Sequence, residues 1–155
     1  MKWNKIFIML VFSAFVIACS HSDQVTTDSR ESGDGEDESH NPGQNCASCH
    51  NVSGSEAVRE GGWWTVAGTV FSNGTSPQKN ATIELWEKPN KQGKLIKRLV
   101  SDSKGNFYTN QTIDFNGGCY PSITVGSKTI YMNQKFNGGS CNSCHGVSTG
   151  KLTIN

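Results

Sequence analysis

The pentapeptide Cys46-Ala47-Ser48-Cys49-His50 recurs as Cys141-Asn142-Ser143-Cys144-His145, and the second copy leaves only ten residues before the chain ends. No helical wrap can follow it, so whatever the two motifs bind is expected to be held at the two ends of the fold rather than by its middle. The chain between the motifs reads as β. Residues 63–71 (WWTVAGTVF) are aromatic and β-branched, and residues 81–87 (ATIELWE) alternate Ala81, Ile83 and Leu85 against Thr82, Glu84 and Trp86. Residues 94–101, 106–109, 122–125 and 128–132 supply four more short strands, with turn signals at Asn73-Gly74, at residues 103–106 and at Gly126-Ser127. Six short strands spaced by turns predict a mainly β fold, a small antiparallel β-sandwich with a cysteine motif at each end. One short helix is expected after the first motif, where Ser53-Gly54-Ser55-Glu56 forms a capping box, residues 57–60 continue it and Gly61-Gly62 stops it.

A CxxCH sequence carries its own chemistry. Two thiols at this spacing can add to the two vinyl groups on one edge of a porphyrin, and the adjacent His is positioned to ligate iron from that side. This reading assigns two covalently bound haem c groups, one through Cys46 and Cys49 and one through Cys141 and Cys144, with His50 and His145 as proximal axial ligands. Two alternatives use the same cysteines. A zinc site built from two C-x2-C pairs has the right spacing, but it belongs mainly to reducing compartments and leaves the His after each second cysteine unexplained. Disulfides within each pair would be strained and redox-active, without the βαβ context in which such pairs work.

Distal ligands are scarcer. Beyond residue 19 the chain offers His21 and His40 as further imidazoles and Met132 as its one thioether. His40, six residues before Cys46, and Met132, nine residues before Cys141, are the candidates. A solvated linker histidine and an ordinary core methionine are the alternatives. Met/His ligation of one haem alone would separate the two potentials and give a relay its direction. Cys119 is left over, and is read as a buried small hydrophobe, with a thiolate ligand or an intermolecular disulfide as the other options. Trp63, Trp64, Trp86 and Tyr131 are read as core residues first and as porphyrin contacts second.

The N-terminal part has a different composition. Lys2 and Lys5 precede an apolar run over residues 6–18, broken only by Ser13, which is too short to span a bilayer and has the proportions of a signal-peptide core. The run ends in Val16-Ile17-Ala18-Cys19-Ser20, which resembles the lipobox of bacterial lipoproteins. That resemblance implies a signal peptide over residues 1–18, lipid attachment at Cys19, and an exported chain anchored to the outer membrane or a periplasm-facing membrane. Between Ser20 and Asn45 there are seven acidic residues and one Arg, with almost nothing apolar, so residues 19–45 are expected to form a lipidated, acidic, disordered tether. Residues 46–155 then form the domain. It carries eleven Lys/Arg against six Asp/Glu, a formal +5. Its lysines are dispersed and not interleaved with aromatic residues, so no nucleic acid is expected as a partner.

The middle of the chain also resembles a known module. The segments Val66-Ala67-Gly68-Thr69-Val70, Ala81-Thr82-Ile83-Glu84-Leu85 and Ser101-Asp102-Ser103-Lys104-Gly105-Asn106-Phe107-Tyr108 are similar to the carboxypeptidase regulatory-like, or transthyretin-like, β-sandwich, in which a D-x-x-G-x-F/Y turn starts a strand. The likeness bears on fold and not on activity. With the lipobox and both CxxCH motifs, the whole chain resembles a dihaem c-type cytochrome lipoprotein. This implies an electron-transfer protein, a membrane-anchored cytochrome relaying electrons between redox partner proteins in a respiratory or extracellular electron-transfer chain. A haem enzyme of peroxidase type and a non-haem binding module with structural disulfides are the competing functions. No acid–base cluster, Ser/His/Asp order or nucleotide loop can be assembled from the remaining residues.

Overall fold

The computed structural model describes residues 30–33, 39–51, 63–115 and 117–155. The signal segment, Cys19, His21 and the helix expected over residues 53–60 lie outside them.

Among the described residues, eight strands make two sheets. The first has the order β2-β1-β5 (Ser76–Pro77, Val66–Ser72, Asn106–Thr109), with β8 (Leu152–Thr153) paired to β1. The second has the order β4-β3-β6-β7 (Gln92–Val100, Thr82–Lys88, Tyr120–Val125, Lys128–Tyr131). Every pairing is antiparallel except that of β8 with β1. The protein is the expected small, mainly β sandwich. All six strands read from hydrophobic alternation are present, with bounds shifted by at most a few residues. The two-residue strands β2 and β8 were not foreseen, being too short to show a period.

The core follows from that alternation. Val66 and Val70 of β1 and Phe107 of β5 cluster with Ile83, Leu85, Leu99 and Ile123 of the second sheet. The register sets Ile83 opposite Leu99 on one side and Ile123 on the other, an apolar row across three strands. Each such side chain, fully buried, contributes roughly 2 kcal/mol. Cys119 is completely buried in this cluster, in agreement with its reading as a small hydrophobe.

Two turns show local chemistry deciding conformation. Asp102 Oδ1 accepts the backbone N–H groups of Lys104 (2.8 Å) and Asn106 (3.0 Å), closing the turn that leads into β5. Gly105 within it takes φ +73° and lies so close to the Val70 carbonyl that no side chain fits. At the β3–β4 hairpin Asn90 and Lys91 both adopt left-handed backbone, the twist-matched two-residue turn. This turns Lys91 Nζ back to Glu84 Oε2 at 2.8 Å, while Arg98 reaches Glu84 Oε1 at 2.7 Å.

Glu84 shows how a polar-face residue comes to be buried. Burial alone would raise its carboxyl pKa, but the hydrogen bonds and charge supplied by Lys91, Arg98 and Trp86 outweigh that and hold it below its ordinary value. The folded pKa is therefore lower than the unfolded one, so this stabilisation is complete above about pH 4.5 and lost as pH falls through the folded value. We expect Glu84→Gln to lower the melting temperature at neutral pH and to flatten its decline between roughly pH 5 and 3, as read by calorimetry. Parallel pH profiles for the two proteins would contradict this.

Part of the acidic stretch meets the sandwich. Residues 30–32 pair with the outer edge of β5: Ser32 N donates to the Tyr108 carbonyl at 3.0 Å, Asn110 N donates to the Arg30 carbonyl at 3.1 Å, and Glu31 forms a β-bridge with Thr109. Lys97 also pairs with Glu31 at 2.5 Å. Ser39 is buried, and Gly43 rests on the Phe71 ring. Residues 30–33 and 39–45, within the stretch read as a tether, thus make contacts with the sandwich. An exposed strand edge offers backbone partners to whatever segment reaches it. Among the described residues, no helix is long and apolar enough to cross a membrane.

Candidate functional site

Both motifs fold into the same short 3-10 turn, Cys46–Ser48 and Cys141–Ser143. In the first, the Cys46 carbonyl accepts the N–H groups of Cys49 (3.2 Å) and His50 (2.8 Å). In the second, the Cys141 carbonyl accepts those of Cys144 (3.3 Å) and His145 (3.0 Å). Ser48 and Ser143 hydroxyls donate to the carbonyls of Asn45 and Ser140, the residues that open the two turns. The turn brings both cysteines and the histidine of each motif onto one short arc.

The turns are neighbours although 95 residues separate them in sequence. The Ser140 hydroxyl meets Asn45 Oδ1 at 2.6 Å, and Asn142 Nδ2 donates to the Gln44 carbonyl at 2.8 Å. The second turn interrupts what would otherwise be one edge strand. Ala67 N donates to the Gly139 carbonyl and Ala67 bridges Ser140, whereas Val70 and Phe71 pair with Leu152 and Thr153 of β8. Gly68 makes this possible, since a Cβ there would lie 2.5 Å from the Phe107 ring and 2.8 Å from Cys141 Cβ. Cys46 and Cys141 are half-buried and Cys49 and Cys144 exposed. Burial pushes the Cys141 thiol up to about 12 and the Cys119 thiol up to about 11, and it raises that of Cys46.

At the second turn an apolar cavity of about 340 Å3 opens between the sheets. Its walls include Ile83, Leu85, Phe107, Ile123, Ile130 and Phe136, while Cys141, Cys144, His145 and Met132 also line it. Met132 therefore shares a cavity with His145, as its candidacy requires. The His145 ring is set by a specific contact: Nδ1 lies 3.0 Å from the Gly150 carbonyl, which can only accept, and 3.2 Å from Thr149 Oγ1. The proton therefore belongs on Nδ1, leaving Nε2 with a free lone pair. A metal-binding histidine is commonly oriented this way.

The first turn is surrounded by rings. His50 is buried, and His40 comes to it with ring centroids 5.6 Å apart. Trp64 lies 5.1 Å from His50 on centroids, and Tyr108 lies 4.5 Å from Trp64. His40, itself exposed, thus stands beside His50. Of the aromatic candidates, Trp64 joins this stack and Tyr131 lines the cavity, whereas Trp63 is exposed and Trp86 hydrogen-bonds Glu84. Among the described residues, no three His, Cys, Asp or Glu side chains converge into a protein-only metal cage, and the five cysteines are unpaired.

The sequence singles out the cysteines, both histidines, His40 and Met132 as candidates, but does not show the polar residues that join the two turns. Asn142 is the plainest case. Sitting at a variable position of its motif, it is 2 % exposed and bonded on every side, and nothing in the motif distinguishes it from Ala47. Comparison with protein-family models, with curated proteins and with solved structures finds no match to this chain.

Proposed function

We propose that the protein is a dihaem c-type electron carrier, lipid-anchored through Cys19 and passing electrons between redox partner proteins in a respiratory or extracellular electron-transfer chain. The observation that carries this reading is the shared fold of the two CxxCH turns, with a thioether and an oriented imidazole facing one apolar cavity beside the second. In this reading Cys46 and Cys49 hold one haem and Cys141 and Cys144 the other. A bound haem supplies a one-electron iron couple there.

The residues present suit that group. The cavity walls are apolar, as a porphyrin face requires, and His145 offers Nε2 because Gly150 fixes the proton on Nδ1. Met132 completes a Met/His pair at the second site. His40 and His50 form an imidazole pair at the first, and imidazole is a favoured ligand for iron. Two different ligand pairs give two different potentials, which suits a relay with a direction. The hydrogen bonds between the turns keep the two sites adjacent, which suits transfer between them.

The spectrum of the full-length protein, produced in a host with haem-ligation machinery, tests the proposal. We expect the reduced α-band of thioether-linked haem, with little change on adding cyanide or peroxide. A colourless protein would overturn the haem assignment, and rapid peroxide turnover would overturn the carrier role in favour of a peroxidase.

A further inference from the structure

A buried chain of polar side chains runs from the second attachment turn to the segment that carries His40. It begins at Asn142, between Cys141 and Cys144, whose Oδ1 accepts the Thr69 N–H at 3.1 Å and whose Nδ2 donates to Thr69 Oγ1 at 3.0 Å. The Thr69 hydroxyl also accepts the Gly43 N–H at 2.9 Å and donates to Asn106 Oδ1 at 2.7 Å. Its single donor and both lone pairs are then in use. Asn106 Nδ2 continues the chain, donating to Ser39 Oγ at 2.6 Å and to the His40 carbonyl at 2.9 Å. Asn142, Thr69, Asn106 and Ser39 are all buried.

A polar network with every member satisfied fixes one arrangement of the segments it joins, because any other leaves buried groups without partners. Thr69 is the branch point. It lies on β1 and bonds to three segments at once: the second motif, the strand β5, and the stretch just ahead of the first motif.

We infer that Thr69 is a positioning residue that couples the two sites, holding the His40 segment against His50 by anchoring it to the second attachment turn. The inference rests on the dihaem reading and adds that His40 binds the first iron only while this hydroxyl network is intact. Loss of the hydroxyl removes three hydrogen bonds, leaves Gly43 N and one Asn142 proton without that partner, and frees the His40 segment to move.

The test uses the full-length, haem-loaded protein and compares Thr69→Val with Thr69→Ser and His40→Ala, reading the spin state and midpoint potential of each haem. We expect His40→Ala to convert one haem of the two from low to high spin. Thr69→Val should shift the same haem in the same sense, by about tenfold or more in the ratio of open to ligated iron. Thr69→Ser, which keeps the hydroxyl, should restore the low-spin form. The other haem should keep its spin state throughout. A merely structural threonine would lower thermal stability without touching spin state. Should Thr69→Val fail to fold, Asn106→Ser, which removes the donors to Ser39 and His40, is read in the same way. Low-spin iron at both haems in Thr69→Val, or in Asn106→Ser, overturns the inference, as does an unchanged spectrum in His40→Ala. None of these outcomes removes the haems, so the dihaem reading fails separately, by absence of haem from the unmodified protein.

Discussion

Met132→Leu is expected to lower the midpoint potential of one haem by on the order of 100 mV or more, and to leave the other almost unmoved. Leucine keeps the size and apolar character of the cavity wall but cannot donate to iron. The residue lines the cavity together with His145, Cys141 and Cys144, and its backbone N–H is pinned to the Pro121 carbonyl at 2.9 Å, so the substitution changes chemistry more than position. Thioether ligation favours the reduced iron, and its removal favours the oxidised form. A spectroelectrochemical titration of both proteins measures the effect. Two unchanged potentials would make Met132 an ordinary wall residue, and an equal shift of both haems would mean that the substitution acts through the fold.

The second large effect belongs to the Cys141→Ala/Cys144→Ala double variant. It should retain one haem and should melt more than about 10 °C below the unmodified protein. The reason is the space between the sheets. A cavity of about 340 Å3 sits among Ile83, Leu85, Phe107 and Ile123, residues that also form the core. A closed void of that size would cost up to about 8 kcal/mol at ~24 cal/mol per Å3, and partial collapse of its open side leaves several of those. For a domain of this length, several kcal/mol is a large share of total stability. Differential scanning calorimetry with a haem count on the same sample decides the matter. A one-haem protein that melts at the original temperature would show that the sandwich does not depend on a filled cavity.

The sheet residues were legible in the sequence because burial writes a period of two into a strand. Ala81, Ile83 and Leu85 announced an inward face, and the structure buries all three. Glu84 lay on the opposite face and is nonetheless buried, since Lys91, Arg98 and Trp86 cover it, and no periodicity reports a salt bridge made by a neighbouring strand and a hairpin turn. The pairing of residues 30–32 with β5 was hidden for a related reason: backbone hydrogen bonds are available to any sequence, so an acidic segment with little to bury still caps an edge. At the site, the motifs named their own cysteines and histidines. What could not be read was that His40 comes beside His50, and that Met132 lines one cavity with His145, because both depend on where distant segments meet. Asn142, Thr69 and Asn106 were further out of reach, each an ordinary polar residue until the fold brings them together.

The central claim is that four thiols are joined to two porphyrins. Intact-mass spectrometry of the denatured protein, made in a host that performs haem ligation, tests it most directly, since only covalently bound groups survive denaturation. The account predicts a polypeptide heavier by two haems, falling to one when either pair of motif cysteines is replaced by alanine. A mass equal to that of the polypeptide and any lipid, with Cys46, Cys49, Cys141 and Cys144 recovered as thiols or disulfides, would contradict it.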